Sequence, residues 1–391
     1  MLFAITFPEV LTGMAAEQWR SARQSVEDFS NLGQDWDSAL RSQKSSANFH
    51  MVKLNFSRLK SSPWTMRHAF FADMGGYLLS APDLRPFPID GQQLFYLVQN
   101  HYIDYPDVTE STIWDKNKAD GFARLITLFQ ITWFLVQSIG RAVQGLDIST
   151  LELSTLAFIF CTMNTFFFWR HKPLDVVTPI LLDCHTRLED ILSAAGIDPS
   201  VQYSETPLDF VKPSVSRSSL VAPFWLGLSN VLDWRRRRSS LPIRSFDNSR
   251  TTPPRGVKLA DMLFAIVFTF SYFAIHLIGW NFAFPSKTEQ VLWRAASLTL
   301  LGSLVVYYLA ILLGQLFARR MAKFFFDNDK EKNIFGLATL LPRWVAILTH
   351  SPLVIVYTLV RTYIIVEGFA SLRTLPLTAF DDVDWMKAVG S

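Results

Sequence analysis

Long apolar runs alternate with polar stretches along this chain. A helix crosses roughly 30 Å of hydrocarbon with about 20 mostly apolar residues. Five runs meet that length: 124–143, 151–169, 259–280, 294–317 and 344–369. A sixth, shorter run opens the chain at 1–19 and carries Glu9. It lacks the basic start and small-residue cleavage site of a signal peptide. The pattern predicts an all-α fold, a polytopic membrane helix bundle of about six transmembrane helices. Residues 1–19 form the first span, 124–169 the second and third, and 259–369 the fourth to sixth. Residues 20–123 form a cytoplasmic region with an amphipathic segment at 64–79, which lies on the membrane surface or caps the bundle. Residues 170–258 form a cytoplasmic loop that opens with a helical pattern at 178–195. It then becomes rich in Pro, Ser and Arg. Residues 370–391 form a non-cytoplasmic tail.

Charge supports this order. Cytoplasmic ends of membrane helices are enriched in Lys and Arg. Of 37 Lys and Arg, 12 fall in 20–124, 13 in 170–258 and 6 in 318–343. The turn 144–150 holds none, the loop 281–293 only Lys287, and the tail Arg373 and Lys387. Basic and non-basic connections therefore alternate, which puts both termini on the non-cytoplasmic side. Composition agrees: the chain of 391 residues is 50% hydrophobic and 18% charged, against about 25% charged in a soluble protein. A net charge of +3 gives no support for a nucleic-acid partner. Two cysteines cannot build a disulfide framework.

The run 120–173 reads D-G-F-A-R-L-I-T-L-F-Q-I-T-W-F-L-V-Q-S-I-G-R, then G-L-D-I-S-T-L-E-L-S-T-L-A-F, then F-W-R-H-K-P-L-D. It resembles a large uncharacterised family of multi-pass integral membrane proteins of filamentous fungi. Pro8-Glu9 with Gln18-Trp19, Trp64-Thr65 with Met74-Gly75-Gly76, the stretch 280–294 and the stretch 371–376 fit the same family. Such relatives carry further hydrophobic sequence before their first span, so the first span here is expected to be partial. The resemblance implies a place in secondary-metabolite biosynthesis and no particular catalytic residue.

Ionisable and amide side chains inside a bilayer are costly and mark cavities or helix contacts. Gln130, Trp133, Gln137 and Arg141 fall within roughly an 80° arc of one helix. They line a cavity, or they hydrogen-bond to neighbouring helices. His350, Tyr357 and Arg361 share a face of the last span. Arg361 cannot shed its proton, so it calls for an ion pair within the bundle or an anionic ligand. Glu152 reads as the far end of a capping box that starts at Ser149. His276 titrates near neutrality and sits near a helix end. Glu152, His276 and Arg361 are the candidate catalytic residues. With Arg141, Glu289, Arg294 and Glu367 they are expected to share one polar site. No motif calls for a metal or a cofactor. Arg235, Arg236, Arg237 and Arg238 are expected to contact anionic lipid. The sequence does not distinguish the endoplasmic reticulum from the plasma membrane. The expected function is a membrane-embedded cyclase or isomerase acting on a hydrophobic small molecule. The alternative is a non-enzymatic transporter, sensor or scaffold.

Overall fold

The computed structural model describes residues 6–41, 49–115, 118–211, 241–248, 250, 258–326 and 343–385. The four-arginine run lies outside them. The chain is mostly helical, and five helices are long and apolar enough to cross a membrane. They are α6 (Lys118–Val143), α7 (Thr150–Phe168), α9 (Leu259–Ile278), α10 (Lys287–Phe326) and α11 (Arg343–Ala370).

The first helix, α1, runs Pro8–Arg41, well past the predicted end at 19. At 1.5 Å per residue its 34 residues span about 51 Å. Pro8 suits a first turn, because its missing N–H has no helical partner there. Glu9 in that turn and Arg41 in the last one match the helix dipole. The helix serves two cores. Thr12 near its start bonds the Cys161 carbonyl at 3.1 Å and the Thr165 hydroxyl at 3.0 Å on α7. Ala22, Phe29 and Trp36, seven residues apart, enter a second core farther along.

That second core corrects two expectations. Residues 20–123 are no mere loop: α2 (Phe49–Ser61), α3 (Met66–Asp73), α4 (Gly91–Gln99) and α5 (Glu110–Asp115) pack with strands β1 (Tyr77–Ala81) and β2 (Leu84–Ile89). The fold is therefore not wholly α. The predicted amphipathic segment at 64–79 divides at Gly75, whose φ of +79° suits glycine. Before it lies α3, buried from His68 to Ala72; after it lies β1, with Tyr77, Leu79 and Ala81 buried. This segment is core, not membrane surface.

The sheet has the order β2–β1–β3, where β3 is Ile180–Asp183. β1 pairs antiparallel with β2 (Tyr77 opposite Ile89) and parallel with β3 (Tyr77 opposite Ile180). A parallel neighbour needs a crossover, and here the crossover includes the α6–α7 hairpin. The chain therefore enters and leaves that hairpin on the same side. The predicted helical pattern at 178–195 resolves into β3 and the short helix α8 (Leu188–Ala194). Helix α9 is tied to α1 by an Arg20–Asp261 ion pair at 3.1 Å. Its far half packs with α7, α10 and α11 around Leu153, Tyr272, Trp293, Leu300 and Ile364.

Candidate functional site

The bundle core holds a fully buried polar pair. Arg361 on α11 and His276 on α9 are both 0% exposed, and Arg361 Nη1 lies 2.9 Å from His276 Nε2. A guanidinium only donates, so His276 Nε2 accepts and its ring is neutral, protonated at Nδ1. The guanidinium stacks over the rings of Phe158 and Tyr272, at 5.1 and 5.5 Å. Its Nε and Nη2 have no hydrogen-bond partner among the described residues. The carbonyl of His276 accepts from Trp293 Nε1 at 3.2 Å, which fixes α10 against α9.

Arg361 acts on Glu9 by charge, and the Tyr272 hydroxyl lies beside the Glu9 carboxylate. The Tyr357 hydroxyl donates to Glu9 Oε1 at 2.7 Å, while Glu9 Oε2 is shielded from solvent with no hydrogen-bond partner among the described residues. Glu9 and Tyr357 also line a cleft of about 130 Å³ between α1, α9, α10 and α11. Its walls are mainly apolar and aromatic, with Phe7, Phe273, Leu304 and Tyr308 among them. Phe7 stacks on Tyr357 with ring centroids 5.3 Å apart. Also on the lining, the hydroxyls of Thr269 and Tyr308 meet at 3.1 Å. An acid, a phenol and a shaped apolar space thus meet at one point.

The expected single polar site separates into several. Arg361, His276 and Tyr357 come together near Glu9. Arg141 lies elsewhere, donating to the carbonyls of Asp147, Ala379 and Asp381 at 2.8 Å each, with Glu152 at 3.8 Å. It fastens the C-terminal segment onto the α6–α7 turn. Glu152 accepts from the Ser149 amide at 2.7 Å, completing the predicted capping box. Gln130 and Trp133 are exposed on α6, and Trp133 packs on Trp385 with centroids 5.7 Å apart. Only the Arg141 end of that stripe is buried, because α6 meets the bundle along a different face. Glu289 pairs with Arg373 at 2.5 Å, while Tyr363 donates to the Glu289 carbonyl and to the Glu367 carboxylate. Arg294 bonds the Trp280 carbonyl at 2.9 Å. The side chain of His350 lies outside the described ones. Glu9, Tyr272 and Tyr308 escaped sequence reasoning as site residues. The signal was present for Glu9, an acid in an apolar run.

A second buried charge cluster joins α1 to the α/β unit. Arg250 bridges Asp90 at 2.7 Å and Glu205 at 2.9 Å, over the Phe246 ring. Burial opposes its charge, but Asp90 and Glu205 outweigh that and raise its pKa. Burial pushes the Asp73 carboxyl up to about 6, and Asp90 adds to the effect. Burial pulls Lys172 down to about 8. Its ammonium donates to Gln18 Oε1 at 2.8 Å and the Asn248 carbonyl at 3.0 Å. Every charge here already has a protein partner, which marks the cluster as structural. His68 is likewise engaged at both ring nitrogens, by Thr65 and the Val108 carbonyl. Among the described residues no three His, Cys, Asp or Glu side chains form a metal-binding group.

No functionally curated protein and no solved structure matches the chain. The profile of a family of unknown function (DUF8562) matches residues 1–203 and 260–389, skipping most of the Pro-, Ser- and Arg-rich loop. With most of its length matched, the chain belongs to this family of unknown function.

Proposed function

We propose that this protein is a six-span integral membrane protein whose cleft binds a lipid-soluble small molecule and transforms it by proton transfer. The half of α1 that packs on α7 supplies the sixth span. The alternation of basic loops supports placing the α/β unit in the cytoplasm, and the β1–β3 pairing keeps both ends of the α6–α7 hairpin on one side. The observation that carries the chemical reading is Glu9 with Tyr357 on the wall of an apolar cleft. Isomerisation and proton-initiated cyclisation consume no co-reactant. Each needs one group that gives and retakes a proton, and a cavity that holds the chain in shape. Glu9 is that group. Tyr357 orients it through Oε1 and leaves Oε2 for the substrate. Arg361, held by His276, supplies the positive charge that steadies the carboxylate left among apolar side chains once Glu9 has given its proton.

Metabolite profiling of cells lacking the gene tests this. Wild type, Glu9→Gln and Tyr357→Phe would be restored in parallel, with cells and medium extracted separately. An accumulated precursor that wild type clears and Glu9→Gln does not is the expected result. Finished product trapped inside cells would replace the enzyme with a transporter. No change in either fraction would refute both.

A further inference from the structure

The aromatic lining of the cleft suggests which substrates it prefers. Six of the lining residues supply rings or a carboxylate: Phe7, Glu9, Phe273, Tyr307, Tyr308 and Tyr357. Phe7 and Tyr357 stack at 5.3 Å, Phe273 meets Tyr357 edge-on at 6.2 Å, and Tyr307 and Tyr308 lie 5.6 Å apart. Aromatic faces attract a cation through their quadrupole, and the attraction grows where water is absent. None of the residues lining the cleft is basic. The nearest buried cation, Arg361, is fully enclosed and sits over Phe158 and Tyr272, not on the cleft wall. Glu9 Oε2, shielded and without a hydrogen-bond partner among the described residues, is the second observation that points to a ligand. A purely neutral hydrocarbon would leave that oxygen unpartnered, at the cost of burying it.

We infer that the cleft selects lipid-soluble molecules bearing a positively charged centre, held by Glu9 and the surrounding rings. This rests on the reading of the cleft as a ligand site and names the ligand class it takes. In a proton-initiated cyclisation the same wall would favour the cationic transition state over the neutral substrate, which is what catalysis requires. A protonated or quaternary amine mimics that charge.

The test uses the purified full chain in maltoside micelles, which contain no choline headgroups. Decyltrimethylammonium and its uncharged tert-butyl isostere are titrated by calorimetry into wild type, Glu9→Gln and Tyr308→Leu. The expected result is about tenfold tighter binding of the ammonium by wild type. That preference disappears in Glu9→Gln and shrinks in Tyr308→Leu, while the isostere binds Glu9→Gln as it binds wild type. Equal affinity of wild type for the two probes would overturn cation selection and leave the cleft as a site for neutral lipophiles. Binding of neither probe would overturn the cleft as a ligand site, and the proposed function with it. Tyr308→Leu keeps the test decisive if Glu9→Gln does not fold.

Discussion

Replacing Arg250 with Met removes one partner from a buried set of three charges. Asp90 is 0% exposed, and its Oδ2 faces Arg250 at 2.7 Å. Its Oδ1 stays busy capping α4 through the amides of Gln92 and Gln93. The substitution therefore strands a buried carboxylate oxygen and weakens the hold on Glu205, whose side chain is 21% exposed. Breaking a buried ion pair from one side costs about 3–5 kcal/mol. Methionine keeps much of the contact with Phe246, so little of that cost comes from lost packing. In a unit of this size each kcal/mol moves the melting temperature by roughly 2–4 °C. Arg250→Met should therefore lower the melting temperature of the purified protein by about 10 °C. The double variant Arg250→Met with Glu205→Gln should recover part of the loss, because one stranded charge is gone. A single variant that melts within about 2 °C of wild type would refute the reasoning, since 3 kcal/mol cannot hide in so small a shift.

Other outcomes follow from single sites. With its pKa raised from 3.8 to about 6, Asp73 keeps in the native state a proton that the unfolded chain has already released. Stability should therefore fall as pH rises from about 4 to 6, by on the order of 3 kcal/mol at 1.36 kcal/mol per unit. Melting curves across that range should flatten in Asp73→Asn. A Cβ at Gly76 would lie 2.3 Å from the Phe71 ring, so Gly76→Ala should cost about 1–3 kcal/mol by overpacking, read by thermal unfolding. Gln130→Leu and Gln137→Leu should leave binding of decyltrimethylammonium unchanged, because neither residue lines the cleft; a loss of affinity in the same titration would contradict that.

The five long helices were legible because bilayer thickness sets a length that periodicity cannot disguise. The Ser149–Glu152 capping box was legible because its partners sit three residues apart. The sheet was not. Its strands are 5, 6 and 4 residues long, and β3 reaches β1 only after two long helices intervene. Local pattern carries no information about such a partner. The site was half legible. Arg361, His276 and Tyr357 announced themselves as polar groups in apolar runs, but their partner Glu9 lies 348 residues from Tyr357. Asp73, Asp90, Glu205 and Arg250 lie far apart in the sequence, and only tertiary packing brings them together and buries them. The stripe on α6 misled because one helix's periodicity says which residues share a face, not what that face meets.

The central claim is that Glu9 is an acid set in an apolar cleft open to lipid-soluble molecules. Carbodiimide labelling of the intact protein in native membranes tests it most directly, with peptide mass spectrometry locating the adduct. A hydrophobic carbodiimide should modify Glu9, a water-soluble one should not, and preincubation with decyltrimethylammonium should slow the reaction. Failure of the hydrophobic reagent to reach Glu9, or equal labelling by both reagents, would contradict the account.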